Sequence, residues 1–226
     1  MTKIDFRVDW SDGWVNFKQM FSDPSSTKHI LALAKAVNGP SLKKSYERLL
    51  ETSDGTAIAV AFPEIANLYP ALSECPADSV GNAVLHNQDY PLEMLLRISR
   101  LGSRNRSWIN GNHPYIWMAR RYRDTHDIWH TLTGYKMDFF GEICVAAFSY
   151  AQTRAYQWGL VSLMGMWKLR ASPRQLMAVF EAYQRGKRCA WLLGEDYEKL
   201  FNENLNECRT RLNLTAPRAY DKITKI

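Results

Sequence analysis

The chain has 226 residues, 46% of them apolar and 23% charged, with a formal net charge of +6. That fits one large domain over residues 1–226 with a real core, and no shift in composition marks a second. The positive charge is scattered and forms no Lys/Arg run of the nucleic-acid-tail kind, so nucleic acid is excluded as a partner, while an anionic substrate or membrane surface is allowed.

Hydrophobic spacing is helical nearly throughout. In chain order it predicts a helix from Ser26 or Thr27 to Val37, stopped by Gly39-Pro40, and a second from Ser41 to about Leu50. Short pieces follow between Thr56 and Leu72, where Pro63 and Pro70 interrupt, and another short helix follows Ser79. Tyr90-Pro91 opens one ending near Arg100, and Gly102 to Pro114 reads as a polar loop. Longer helices are predicted from Tyr115 to Leu132, Asp138 to Trp158, Ser172-Pro173 to Leu193, and Glu195 to Leu212, with Gly134 ending the first and Asp138 capping the second. No alternating strand and no internal repeat is present. The fold class is therefore all-α, a multi-helix bundle.

The window Tyr156 to Trp167 is the oiliest, but twelve helical residues span only about 18 Å, against roughly 30 Å of bilayer hydrocarbon. Core, dimer interface, lipid-tunnel wall and monotopic membrane contact stay open for it. The four cysteines are widely spaced, without a C-x-x-C pair, and read as reduced thiols. MTKIDFRVDW has neither a signal-peptide nor a transit-peptide layout, so the expectation is a bacterial cytoplasmic protein, with an organelle protein without its presequence as the alternative.

His126 and His130 are four apart on a predicted helix, which sets both imidazoles on one face, as a metal requires. Asp127 is a third ligand or a neighbour that orients a histidine. Glu142 lies twelve residues after His130, across a tight turn, where the next helix can aim its carboxylate back. Two imidazoles with carboxylates suit a divalent metal, zinc first, with iron or manganese if open positions remain. The plain alternative is two histidines satisfying each other. H-D-x-x-H also compares with the H-E-x-x-H of zinc proteases, but Asp is one methylene short and the third-ligand spacing does not match. Arg120, Arg121, Arg123 and Lys136 surround the motif. Such charges are usually solvated or paired, and Arg121, Arg123 and Lys136 are the candidates for holding an anionic head group.

Arg121 to Gly134, with Gly141-Glu142, closely resembles the signature of the Coq4 family of ubiquinone biosynthesis: H-D-x-x-H, eleven residues (131–141), then E. The resemblance continues through Gln152–Leu160, Gly186-Lys187-Arg188, Tyr197-Glu198 and Leu212–Pro217. It covers about 110–217, with 75–85 weaker and residues 1–110 divergent; Asp196 and Phe201 replace aromatics expected there. It implies a helical, often dimeric protein at the membrane where ubiquinone is made, so that the bacterial cytoplasmic protein is peripheral to the inner membrane, with a metal, usually zinc, on His126, Asp127, His130 and Glu142. It further implies a hydrophobic channel beside that site for a polyprenyl tail. The activity implied is at ring carbon 1 of a prenylated hydroxybenzoate-type precursor, where carboxyl is exchanged for hydroxyl, along with a role in organising the other biosynthetic proteins. Tail-channel candidates are Ile143, Phe148, Trp158, Leu160, Leu163, Met164 and Trp167. A non-catalytic scaffold presenting prenyl lipids to other enzymes is the alternative.

Overall fold

The structure, a computed structural model, describes residues 6–22, 27–87 and 111–224. Among them every regular element is helical, and strand-type pairing is limited to a bridge between Ser79 and Asn204. The expected helix from Tyr90 to Arg100 and most of the loop after it lie outside the described residues.

Helix α1 (Trp10–Ser22), which the apolar spacing did not reveal, packs along α2 (Thr27–Val37). Helix α3 (Gly39–Leu50) begins two residues earlier than expected. Pro40 sits in its first turn, where a missing N–H breaks no helical bond. The pieces of the stretch from Thr56 to Leu72, interrupted by Pro63 and Pro70, are short as expected: α4 (Gly55–Ala61) and 3-10 turns at Ile65–Asn67 and Tyr69–Glu74. Ser79 then caps α5 (Val80–Leu85), its hydroxyl accepting from the Asn82 N–H.

The second half carries α6 (Pro114–Thr133), α7 (Phe139–Thr153), α8 (Tyr156–Leu169), α9 (Pro173–Arg188), α10 (Tyr197–Asn202), α11 (Leu205–Arg211) and α12 (Arg218–Thr224). Three expected helices prove to be broken. The run from Asp138 to Trp158 turns at Arg154, whose φ is 56°. There the Thr153 hydroxyl accepts from the Ala155 N–H and the Arg154 guanidinium donates to the Tyr183 hydroxyl, so side-chain bonds replace helical ones. Helix α9 stops at Arg188 rather than Leu193 because Gln152 intervenes: its amide donates to the carbonyls of Gly186 and Ala190 and accepts from the Leu192 N–H. The predicted helix from Glu195 to Leu212 divides into α10 and α11 at Glu203-Asn204, where the Asn204 carboxamide caps the second piece. Helix α12 was not anticipated either.

Helix α7 packs mainly against α8 and α9, α9 also against α12, α3 against α6, and α2 against α8. The largest apolar cluster gathers Leu42, Leu49, Trp117, Trp129, Phe148 and Leu200 around α6. A second, with Tyr135, Ile143, Cys144, Ala178 and Tyr220, fills the space between α7, α9 and α12. A third joins Leu33 and Val37 of α2 to Met164 of α8. Among the described residues no helix is long and apolar enough to cross a membrane.

Candidate metal centre

Helix α6 starts on His113, whose Nδ1 accepts from the Tyr115 N–H, with Pro114 in the first turn, and ends on Gly134 at φ 80°. The left-handed conformation there suits glycine and turns the chain out of the helix. Four residues after Gly134 the Asp138 carboxylate caps α7 by accepting from the Gly141 N–H at 2.7 Å. Gly141 is sterically obligatory, since a methyl group in its place would stand 1.8 Å from the Lys136 carbonyl oxygen. This tight reversal sets Glu142, on the first turn of α7, against the last turns of α6.

The result is a trio. The donor atoms of His126, His130 and Glu142 lie within 4.8 Å of one another. Glu142 spans the two rings: Oε2 is 3.3 Å from His126 Nε2 and Oε1 is 3.4 Å from His130 Nε2. Ligands about 2.0 Å from a tetrahedral ion stand roughly 3.3 Å apart, so both separations match one edge of such a polyhedron.

His130 Nδ1 lies 3.2 Å from each of the Tyr135 and Lys136 carbonyl oxygens. Those acceptors place a proton on Nδ1 and leave Nε2 as a lone pair directed at Glu142. Nε2 is buried and has no hydrogen-bond partner. Two acceptors therefore face each other at 3.4 Å, and only a proton or a cation between them makes that favourable. The His126 ring lies parallel to Trp158 of α8 at 4.4 Å and perpendicular to His130 at 5.2 Å, which fixes its plane; its Nδ1 is also buried without a partner.

The electrostatics follow from this arrangement. Burial raises the Glu142 pKa, but the imidazoles of His126 and His130, which donate to it and carry positive charge when protonated, outweigh that and hold the carboxyl well below the usual range. Burial alone would lower the pKa of His130, yet Glu142, Asp127 and the Tyr135 carbonyl raise it. Asp127 is pushed up to about 6 by burial, against the pull of His126 and His130 and with help from Glu142 and Asp124. Asp127 lies beside the trio, and the grouping of donors within 4.8 Å does not include it.

The other expected site residues are dispersed. Arg121 is buried and donates to the carbonyls of Leu193 and Glu195, with Trp117 and Tyr197 flanking its guanidinium. Arg123 pairs with Asp124 at 2.7 Å, and Arg120 with Glu64. Lys136 gives the site its backbone carbonyl, while its exposed side chain borders a separate cavity. Of the tail candidates, Ile143, Phe148 and Met164 belong to three different core clusters, and Trp158 stacks on His126. Leu160 and Leu163 line an apolar groove of about 420 Å³ between α8 and α9, and Trp167 is exposed on α8. The orienting roles of Trp158, Gly141 and the 135–136 carbonyls have no spacing signature, though Gly141 stands in the motif.

A family model described as coenzyme Q (ubiquinone) biosynthesis protein Coq4 matches residues 16–218, extending into the half read as divergent. The ubiquinone biosynthesis protein COQ4 homolog, mitochondrial, of Danio rerio is 32% identical over 109 residues, 47% of this chain and 40% of its own length. The Bos taurus homolog is 26% identical over 203 residues, 86% of this chain and 74% of its own. The chain thus spans well under two thirds of the fish relative's length and more than two thirds of the bovine one's. A crystal structure of a candidate ubiquinone biosynthesis protein from Nostoc punctiforme PCC 73102 superposes with a TM-score of 0.65. It covers 93% of this chain and 100% of that one at 18% identity, a likeness of fold.

Proposed function

The chain belongs to the Coq4 family of coenzyme Q (ubiquinone) biosynthesis proteins, and on that premise we propose that it serves this pathway through a divalent metal held by His126, His130 and Glu142, with Asp127 beside them. The observation that carries the reading is the standoff of the buried His130 Nε2 and the half-exposed Glu142 Oε1, two acceptors at 3.4 Å. One cation satisfies both imidazoles and the carboxylate together, which a single proton cannot do.

The substrate is a polyprenylated hydroxybenzoate-type precursor, and the reaction exchanges the carboxyl on ring carbon 1 for a hydroxyl. That exchange releases CO₂ and is a two-electron oxidation, so it uses dioxygen or another two-electron oxidant. When bound, the metal supplies Lewis acidity toward a carboxylate or phenolic oxygen and, if it is iron or manganese, a redox couple that zinc lacks. The chain's own residues orient the site. The 135–136 carbonyls fix the His130 tautomer, Trp158 fixes the plane of His126, and Glu142 bridges the two rings.

The outer face of α8 and α9 supports binding of the prenyl tail and contact with a membrane surface. Its groove is lined by Leu160, Leu163, Leu176 and Phe180, and Trp10, Trp167 and Met177 are exposed nearby. Each buried CH₂ contributes about 0.8 kcal/mol, enough over a long tail to draw a lipid from a bilayer. A second copy of this chain is the competing cover for that face, and a homodimer is part of the reading. One feature favours the scaffold alternative. Trp158 faces His126, while Gly159, Leu160 and Leu163 of the same helix border the groove, so α8 stands between the trio and the groove. In that reading the chain presents quinone precursors to other biosynthetic proteins.

Metal analysis of the native protein, with mass spectrometry of co-purified lipids, tests both readings. Turnover of a prenylated hydroxybenzoate by the metal-loaded protein, lost in His130→Ala, supports catalysis. A stoichiometric metal and a bound prenyl lipid without turnover support presentation. Absence of any bound first-row metal after loading overturns the metal reading.

A further inference from the structure

The C-terminal end of α6 borders a second cavity, of about 740 Å³ and open to solvent on one side, bounded by α11, α12 and the loop at 213–217. Three basic side chains line it, Lys136, Arg185 and Arg209, against one acidic side chain, Asp221. Arg185 reaches in from the last turn of α9 and is only 6% exposed. Its Nη2 donates to the carbonyls of Thr133, at 2.9 Å, and Thr215. Its Nε and Nη1 are buried and make no well-formed hydrogen bond; beside them lies the buried hydroxyl of Tyr135, with which the guanidinium shares at most a weak one, the Tyr135 ring being 4.9 Å away. Arg209 donates to the carbonyls of Leu132 and Thr131 at 3.0 and 2.8 Å.

Both arginines therefore cap the last carbonyls of α6, and capping alone is the plainest account of them. The magnitudes do not close on that account. A helix C-terminus carries roughly half a negative charge and Asp221 a whole one, against two whole positive charges on the arginines and a third on Lys136, so the lining stays net positive. The Arg209 pKa is lowered first by burial and then by the charge of Arg185. Two guanidinium groups thus repel each other beside a cavity, and one of them keeps donors that are only weakly satisfied.

We propose that this cavity binds a phosphoryl group, as orthophosphate or as the phosphomonoester end of a larger molecule, through Lys136, Arg185 and Arg209. A phosphoryl group brings close to two negative charges and three acceptor oxygens, the complement of this lining. The cavity exceeds the size of phosphate itself and leaves room for whatever carries it. The site uses none of the side chains of the His126–His130–Glu142 trio and stands whether or not the metal reading does.

The test is calorimetric titration and thermal shift of the full chain with sodium phosphate or glycerol 1-phosphate, with sodium chloride at matched ionic strength as the control. A vesicle arm compares phosphatidic acid in phosphatidylcholine with phosphatidylcholine alone. Lys136 is exposed, so Lys136→Gln keeps the fold, whereas Arg209→Gln removes a helix cap as well. Saturable binding of the soluble phosphates, weakened about tenfold in Lys136→Gln, supports the site with a free phosphate as ligand. Binding confined to phosphatidic acid vesicles and weakened in the same variant supports it with a lipid head group. An equal response to phosphate and chloride with no preference for phosphatidic acid, or binding undiminished in Lys136→Gln, overturns it.

Discussion

Around the junction of α6 and α7, two imidazoles and Asp127 are withdrawn from water while backbone carbonyls and a tryptophan face hold the rings in place. Across the outer faces of α8 and α9 the reverse holds: Leu163 and Phe180 are 62% and 63% exposed, and little but their own helices fixes them. The two regions depart from the usual partition of polar and apolar residues in opposite directions. The first requires something charged brought to it, and the second something apolar. They also differ in rigidity, because a buried polar cluster persists only when its geometry is over-determined, whereas an exposed apolar face tolerates change until its cover is removed.

The strongest way to break the buried region is Gly141→Ala. The added methyl meets the Lys136 carbonyl oxygen, backbone against backbone, with no flexible side chain to yield. The expected loss is on the order of 3 kcal/mol or more, in the tail of single-substitution effects, together with metal binding. Thermal denaturation and metal stoichiometry check it. A stable, metal-replete Gly141→Ala protein would mean that the turn is not what sets Glu142. Trp158→Leu comes next, with a weakening of metal affinity of roughly 10–100-fold, the usual effect of losing an orienting neighbour. Competition with a chromogenic chelator measures it. An unchanged affinity would reduce the stack on His126 to packing.

Acid and metal should act on this region with opposite signs. In chelator-treated protein, Asp127 and His130 both have raised pKa values. The folded chain therefore holds protons there that the unfolded chain has released, and stability from these groups grows as pH falls: for His130 down to the ordinary histidine value, and for Asp127 from about 6 down to the ordinary carboxylate range. Glu142, with its lowered pKa, contributes its full stability above the ordinary carboxylate range and loses it as pH falls below that range toward the lowered value. Metal competes with protons for the same atoms, so the loaded protein should instead lose stability as pH falls through the range of His130 and Asp127. Melting temperatures with and without metal at each pH decide this, and parallel curves would defeat the idea that protons and metal share the site.

How far the sequence discloses each region follows from the same contrast. The i, i+4 placement of His126 and His130, the turn at Gly134 and the cap at Asp138 are local and periodic, so spacing exposes them, and the motif extends that to Glu142. The helix breaks at Arg154 and Arg188 depend on Tyr183 and Gln152, partners distant in sequence, which no local pattern announces. Trp158 reads as tail-channel lining because indole is mostly hydrocarbon, and only the folding of α8 back along α7 brings its ring onto His126. For the same reason Arg121 reads as a head-group candidate. Its commitment to the Leu193 and Glu195 carbonyls is a tertiary fact. Arg185 lies outside any motif, and its significance comes from the company it keeps at the end of α6.

The smallest expected effect on stability lies on the apolar face. Leu163→Ser with Phe180→Ser removes exposed side chains with little packing to lose, so folding should change by no more than about 0.5 kcal/mol per site. The functional effect should be large in proportion. Capture of a polyprenylated phenol from phosphatidylcholine vesicles, and flotation with those vesicles, should both fall, while metal content stays at the parent level. If instead the parent protein is dimeric and the double variant is monomeric with lipid capture intact, the face is covered by a second copy and the tail binds elsewhere. If neither property changes, the exposed row on α8 and α9 has no partner, and the contrast with the buried trio reduces to a difference in packing.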